Sequence, residues 1–532
     1  MKRKLLFIAA IAAVGFSGCK KYLNEVANPN VPPSTSPSFA LTGAEKILAD
    51  MPNGIATYEG NCYTQYGYWD GVWAVSSGFI TQPPLSQYNF TTSEFQVWTD
   101  LYLNLQNLKS LEGLTAGTLP DYVSIAQILE DYDWEELVDN YNDVPYTQAF
   151  NTKNLFPAYD KAATIYSDLI ANLDANIAAI QKNGSKTAPS TDDIIFGGNM
   201  ANWLKFANTL KLRLILRQVN LSNFSTIAGD IASTRSVDFL DGTVDAEANP
   251  GYTLNDAYGG QESPFWHAYG STAVGNPEDV LVKANNYTIN MLHGFNDPRL
   301  VQLYTTVPEP APSNAGEAPG TIPAGTIVVR GLNLGDPALS ADTNGPGDIS
   351  NVGPGLLKSA SMNAVIFSGA ESLFLQAEAV NRGVLVSTIS ADSLYHLAST
   401  ASFVATGAFY PLATTIDGTT LKAPASPTLS AYLYYSQPIV NVNWNSSAGN
   451  LEEAIITQKY IALNGYGALE QYNELRRTGY PLNIPISLDP ARISNVLPSR
   501  IYYPQIEYNT NTANANAEGT INPFTSKIFW AK

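Results

Sequence analysis

The sequence predicts a mainly α-helical protein that carries long irregular loop insertions and a few short strands. Three observations lead there. Apolar residues return at three- and four-residue steps over about 39–51, 97–238 and 364–480, the spacing that keeps them on one side of a helix. That periodicity fails over about 52–96 and 239–363, where Gly, Pro, Asn and Asp crowd between short strand-like pieces such as Thr326-Ile327-Val328-Val329-Arg330. Finally, 45% of the 532 residues are hydrophobic, ample for a core, while only 14% are charged.

So low a charged fraction leaves the surface polarity to Asn, Ser, Thr, Gln and Tyr, a composition suited to neutral, hydroxyl-rich ligands. Thirty tyrosines against 20 phenylalanines point the same way, because a phenol can sit at a wet surface and still offer an apolar face. The formal net charge is −18, and it becomes −21, 47 acids against 26 bases, once residues 1–18 are removed. Such a surface repels phosphate backbones and anionic lipid heads, so nucleic acid is not an expected partner.

The N-terminus reads as an address. Lys2-Arg3-Lys4 precedes an apolar run of ten residues, Leu5 to Val14, too short to cross a bilayer that needs about 20. Phe16-Ser17-Gly18 then leads into Cys19, and the whole resembles a bacterial lipoprotein signal: residues 1–18 are removed and Cys19 is acylated. Each buried CH₂ of a lipid chain contributes roughly 0.8 kcal/mol, so several chains hold firmly where one would not. Residues 19–38, with Pro29, Pro32, Pro33 and Pro37, form an extended linker, and 39–532 are expected to form a single domain. With Cys19 lipidated, Cys62 has no partner and reads as a small apolar core residue.

Taken in order, Phe39 to Met51 is the first helix, with Leu41, Ala44, Ile47 and Leu48 on one face. Between Tyr58 and Phe95, aromatics including Tyr68, Trp69, Trp73 and Phe79 alternate with Gly67, Gly71, Gly78 and Pro83-Pro84, a mixture no long helix tolerates. Aromatics on such a segment can form a platform for flat sugar rings, and Tyr68, Trp69 and Trp73 are the first candidate ligand-binding residues. The alternative is that they pack this segment onto the helices.

Val97 to Leu114 and Asp121 to Tyr141 are amphipathic helices. In the second, Asp131, Glu135 and Asp139 recur at steps of four and read as a solvated face instead of a glycosidase's carboxylate pair. A helix through Ala163 to Ile177 follows, then a polar loop, Asn183 to Asp193. Next, Trp203, Phe206, Ala207, Leu210 and Leu214 mark a buried helix stripe, with Lys205, Lys211, Arg213 and Arg217 largely outside it.

The insertion 239–363 holds a second aromatic group on loops, from which Trp266, His267 and Tyr269 complete the candidate ligand site; His267 can bond a ligand hydroxyl or a structural partner. Asn344-Gly345-Pro346-Gly347-Asp348 is a turn cluster without the oxygen spacing of a calcium loop, and no metal or cofactor is expected. Helical texture returns at Ala364. Glu371 and Glu378, seven residues apart on one face, read as ion-pair or capping partners. Arg476-Arg477 before Gly479 and Pro481 is a helix end with cations near its negative terminus.

Several of these segments carry a resemblance. Phe196-Gly197-Gly198 with the W-L-K-F-A-N-T-L-K-L-R-L run of 203–214 resembles the central helix of the SusD-like (SusD/RagB) outer-membrane lipoproteins. Tyr141-Asn142-Asp143-Val144-Pro145-Tyr146 is similar to that family's Y-G-D-V-P-Y turn, with Asn142, which also tolerates the left-handed conformation, where Gly is usual. Glu371 to Gly383, Gln458 to Leu463, Glu474 to Pro481 and Arg500 to Asn509 are similar to its later motifs, in order. The resemblance implies a scaffold of TPR-like helical pairs, capture of oligosaccharides at the cell surface, a lipid anchor in the outer membrane facing outward, and a SusC-like TonB-dependent transporter as partner.

No G-x-S-x-G elbow, Walker loop, H-E-x-x-H or paired C-x-x-C occurs, and His267, His293 and His396 lie far apart, so no catalytic residue is assigned. The expected function is glycan binding without cleavage. A carbohydrate-active hydrolase and capture of peptides by the same fold are the alternatives.

Overall fold

The computed structural model describes residues 35–55, 63–76, 82–231, 234, 238–255, 261–308, 326–336, 349–408, 414–416, 419–421 and 438–532. The signal segment, Cys19, Cys62, Phe79 and Asp348 lie outside the described residues.

Helices dominate, and their ends follow local chemistry. Helix α1 (Pro37–Asp50) begins where the Ser36 hydroxyl accepts the Phe39 N–H at 3.3 Å, with Pro37 in the first turn where its missing N–H costs nothing. It buries Leu41, Ala44 and Leu48. A six-residue helix, α2 (Thr64–Trp69), follows. Helix α3 (Trp98–Thr115) turns Leu101, Leu105, Leu108 and Leu111 inward, and the short connection 116–119 sends the chain back as α4 (Pro120–Tyr141). Helix α4 stops at Asn142, which takes the positive φ of +68° expected of it.

Helices α5 (Ala162–Asn183) and α6 (Met200–Arg217) continue the pattern, the latter capped by the Asn199 side chain. Each helix from α3 to α6 packs against the next, and α1 lies on α3. After α7 (Pro264–Tyr269), a second group forms from α8 (Gly369–Asn381), α9 (Ala391–Thr406), α10 (Leu451–Ala462) and α11 (Ala468–Thr478). Here α8 pairs with α9 and with α10, and α11 packs on α2.

Ala364–Phe367, expected as the return of helix, is instead a strand paired antiparallel with Ala246–Ala248. Trp73–Val75 pairs with Val282–Ala284, and Val307–Pro308 with Ile327–Val328, so the strand-like reading of 326–330 holds for a short ladder. One cluster of buried apolar side chains runs from Leu41 to Trp530.

Helices α4 and α6 are buried nearly all round, the signature of central elements. The predicted stripe of Trp203, Phe206, Ala207, Leu210 and Leu214 is wholly inside. Two other expectations are corrected here. Lys211, Arg213 and Arg217 are buried as well, and Asp131, Glu135 and Asp139 face the core instead of water.

Asp131 accepts the Asn172 amide at 3.2 Å, and burial raises its carboxyl; for Glu135, Asp139 and the cations the reason is mutual neutralisation, because a buried charge persists only when paired and hydrogen-bonded. Glu135 takes Arg213 Nε at 3.0 Å, and Arg217 Nη2 reaches Glu470 at 2.7 Å and Asp139 at 3.3 Å. Arg477 Nη1 bonds Glu378 at 2.7 Å, and Lys459 Nζ lies 3.0 Å from Glu474 and 3.5 Å from Glu371. Glu371 and Glu378 are thus ion-pair partners, as expected. Burial alone would raise the Glu470 carboxyl, but Arg213 and Arg217 overcome it and hold the group at about 2.

Candidate functional site

A hollow of about 500 Å³ opens beside α7, within the size range of ligand pockets. Its lining falls wholly between Trp266 and Leu357, inside the loop-rich insertion. One wall is α7 and the hairpin after it. Pro264 starts the helix, and Gly270 ends it by returning its N–H to the Trp266 carbonyl at 2.7 Å. Gly270 also lies flat against the indole: a Cβ there would sit 2.7 Å from a ring atom, so only glycine lets the chain fold over that side of Trp266.

Ser271 and Pro277 then bridge antiparallel, and the Asp279 carboxylate accepts the N–H groups of Leu281 and Val282 where the strand begins. The facing wall is Val301, Thr305 and Thr306 with Asn351 to Pro354 and Leu357. Thr305 and Asn351 tie this wall together, the Thr305 hydroxyl accepting the Asn351 N–H at 2.8 Å and the Asn351 carbonyl accepting the Thr305 N–H at 3.0 Å.

The polar inventory suits a hydroxylated ligand. Trp266 Nε1 already donates to the Ser271 carbonyl at 3.0 Å, so its remaining contribution is ring surface. Lys283 Nζ donates to Asn351 Oδ1, which leaves the amide nitrogen of that exposed side chain as a donor. Burial lowers the Lys283 ammonium from its ordinary value, against the pull of Asp279. A second hollow, about 100 Å³, lies behind Phe265 and is far smaller.

The six ligand candidates separate. Trp266 and Tyr269 line the hollow, both half-buried. His267 sits on the same helix but not in the lining; its Nδ1 is 3.5 Å from the buried Glu262 carboxylate, the structural partner the sequence reading allowed. Tyr68, Trp69 and Trp73 are core residues, with Trp69 and Trp73 each 1% exposed, so they form no surface platform. Packing of α2 against α11 covers Trp69, and Tyr269 and Tyr304 lie against Trp73. Trp69 sits among Tyr66, Phe90, Phe95 and Tyr472 with its Nε1 on the Leu85 carbonyl at 3.3 Å. Gly67 admits the Trp73 indole, which passes 2.3 Å from where a Cβ would be.

Asp279, Asn351, Thr305 and Thr306 were not singled out in sequence. They are single polar residues on loops, and only the Gly-rich texture of 239–363 signalled that region.

Carboxylates elsewhere do not make a competing centre. Glu135, Asp139 and Glu470 bring oxygens within 4.8 Å of one another, a spacing a metal ion would accept, but the Arg217 guanidinium already contacts all three. No helix of the described residues is long and apolar enough to cross a membrane.

Residues 29–504 match the sequence model of a SusD-like family described as starch-binding and associating with the outer membrane. Among solved structures, a SusD homologue from Bacteroides uniformis is 21% identical with a TM-score of 0.68, covering 93% of this chain and 99% of that one. A chitin-binding SusD homologue from Flavobacterium johnsoniae is 19% identical with a TM-score of 0.65, covering 92% and 98%. A homologue from Bacteroides ovatus is 21% identical with a TM-score of 0.62, covering 90% and 94%. The chain shares their TPR-like arrangement of helical pairs. None of the curated proteins compared with it matches.

Proposed function

The chain belongs to the SusD-like family of starch-binding proteins associating with the outer membrane, and on that premise we propose that it is a cell-surface lipoprotein that captures oligosaccharides and delivers them to a TonB-dependent transporter. The observation that carries the reading is the hollow beside α7, where an indole face, Asn351 and two threonine hydroxyls surround a space for a sugar ring. Capture needs an apolar surface for the ring's C–H face and polar groups for its hydroxyls, and this wall supplies both.

Anchoring through Cys19 would keep the captured glycan near the transporter, so modest affinity suffices when local concentration is high. Asp279 is the single carboxyl in the lining, which favours capture over hydrolysis by a carboxylate pair.

A panel of malto-, chito- and xylo-oligosaccharides titrated into the detergent-solubilised chain tests the reading. Binding that weakens in Trp266→Ala supports it; binding to none of them, or binding indifferent to that change, refutes the assigned site. Radiolabelled palmitate incorporated by wild type but not by Cys19→Ala would support the anchor, and co-purification of a large barrel protein would support the partnership.

A further inference from the structure

We infer, resting on the glycan reading of the hollow beside α7, that this site admits neutral saccharides and turns away those bearing sulfate or carboxylate groups, with Asp279 as the specificity-determining residue. Asp279 is the one carboxylate among the residues that line the hollow, and no lysine, arginine or histidine joins it. Its position is held, because Oδ1 accepts the N–H groups of both Leu281 and Val282, and the side chain stays half-exposed at the rim. A charge fixed in this way cannot swing aside for an incoming anion.

The nearest cation does not cancel that preference. Lys283 is itself buried and absent from the lining, and its ammonium is engaged by Asn351 Oδ1. Nor does the rest of the chain compensate, with a formal charge of −18.

Hydrogen-bond chemistry acts in the same direction. A sugar hydroxyl can donate to Asp279 and accept from the Asn351 amide nitrogen, whereas sulfate and carboxylate groups only accept and would face an acceptor. Placing a second negative charge within a few ångströms of the carboxylate, at a partly solvated rim, costs about tenfold in affinity, equivalent to about 1.4 kcal/mol.

The test pairs whichever neutral oligosaccharide of the panel binds with its own sulfated derivative, titrated against wild type, Asp279→Asn and Trp266→Ala at low and high salt. Asparagine keeps an oxygen for the Leu281 and Val282 N–H groups and removes only the charge. The expected result is at least tenfold weaker binding of the sulfated form to wild type, a gap that narrows in Asp279→Asn and, for wild type, at high salt. Equal or tighter binding of the sulfated form, or a gap of the same size in Asp279→Asn, overturns the inference. A neutral ligand that binds wild type and Trp266→Ala alike would overturn the site reading beneath it instead.

Discussion

The indole of Trp73 lies stacked behind the phenol of Tyr269, ring centroids 6.4 Å apart and planes 30° from parallel. One ring is core and the other lines the hollow, so the site wall is backed directly by the hydrophobic interior. The Tyr269 hydroxyl is fixed too, 2.8 Å from Thr64 Oγ1 on α2. Trp73→Ala is expected to cost about 3–5 kcal/mol of stability by leaving a cavity, and to weaken glycan binding by loosening Tyr269. Tyr269→Phe removes only the hydroxyl's bond and should cost about 1 kcal/mol. Denaturant midpoints and titrations of the two variants check the order.

Trp266→Ala should behave in the opposite way. The ring is half-buried, so little core packing is lost and the unfolding midpoint should move slightly, while affinity for the best oligosaccharide falls about tenfold or more. A large loss of stability with affinity retained would assign Trp266 to scaffolding.

Arg213 links α6 to α4 through Glu135, 78 residues earlier in the chain, and stacks over the Phe367 ring at 4.3 Å. Removing one member strands the other in the core. Arg213→Met is therefore expected to cost about 3–5 kcal/mol, and adding Glu135→Leu should recover part of that loss. A double variant whose loss equals the sum of the two single losses, by chemical denaturation, would show that the two charges are not coupled.

Two carboxyls of the interior ion network and its surroundings, Glu470 and Glu136, set opposite pH dependences. Glu470, at about 2 in the fold against an ordinary 4.5, binds protons less readily than in the unfolded chain. Its contribution is complete above pH 4.5 and is lost as pH falls from there toward 2. Glu136 is pushed up to about 8, chiefly by burial and despite the Tyr63 hydroxyl donating to it at 2.7 Å. The folded protein therefore holds that proton where the unfolded chain releases it, and stability declines as pH rises from 4.5 to 8, on the order of 1.4 kcal/mol per unit. Glu136→Gln, measured by denaturation at pH 6 and pH 8.5, should remove part of that decline.

The helical scaffold was legible because it is written in local periodicity. The stripe from Trp203 to Leu214 needs no knowledge of its neighbours to be read as buried, since a helix places those residues on one face whatever it packs against. Two helix ends were legible for the same reason: Asn142 and Gly479 stop their helices through their own backbone conformation. Periodicity carries no information about partners, however. The acidic run of α4 resembles a solvated face until α6 supplies Arg213 and Arg217 from far along the chain.

Aromatic residues on irregular segments pose the same difficulty more sharply. Trp69 and Trp266 sit in similarly glycine-rich surroundings, and their sequences do not reveal which way each ring turns. Docking of α2 onto α11 sealed the first into the core, while the hairpin after Gly270 left the second beside open space. By itself, the sequence determined helices, caps and the family they compose, because those depend on neighbours along the chain. Only the tertiary structure decided which aromatics line a hollow and placed Asp279 and Asn351, 72 residues apart in the chain, in the lining of the same one, because that placement follows from how the loops are packed, and burial belongs to the assembled fold.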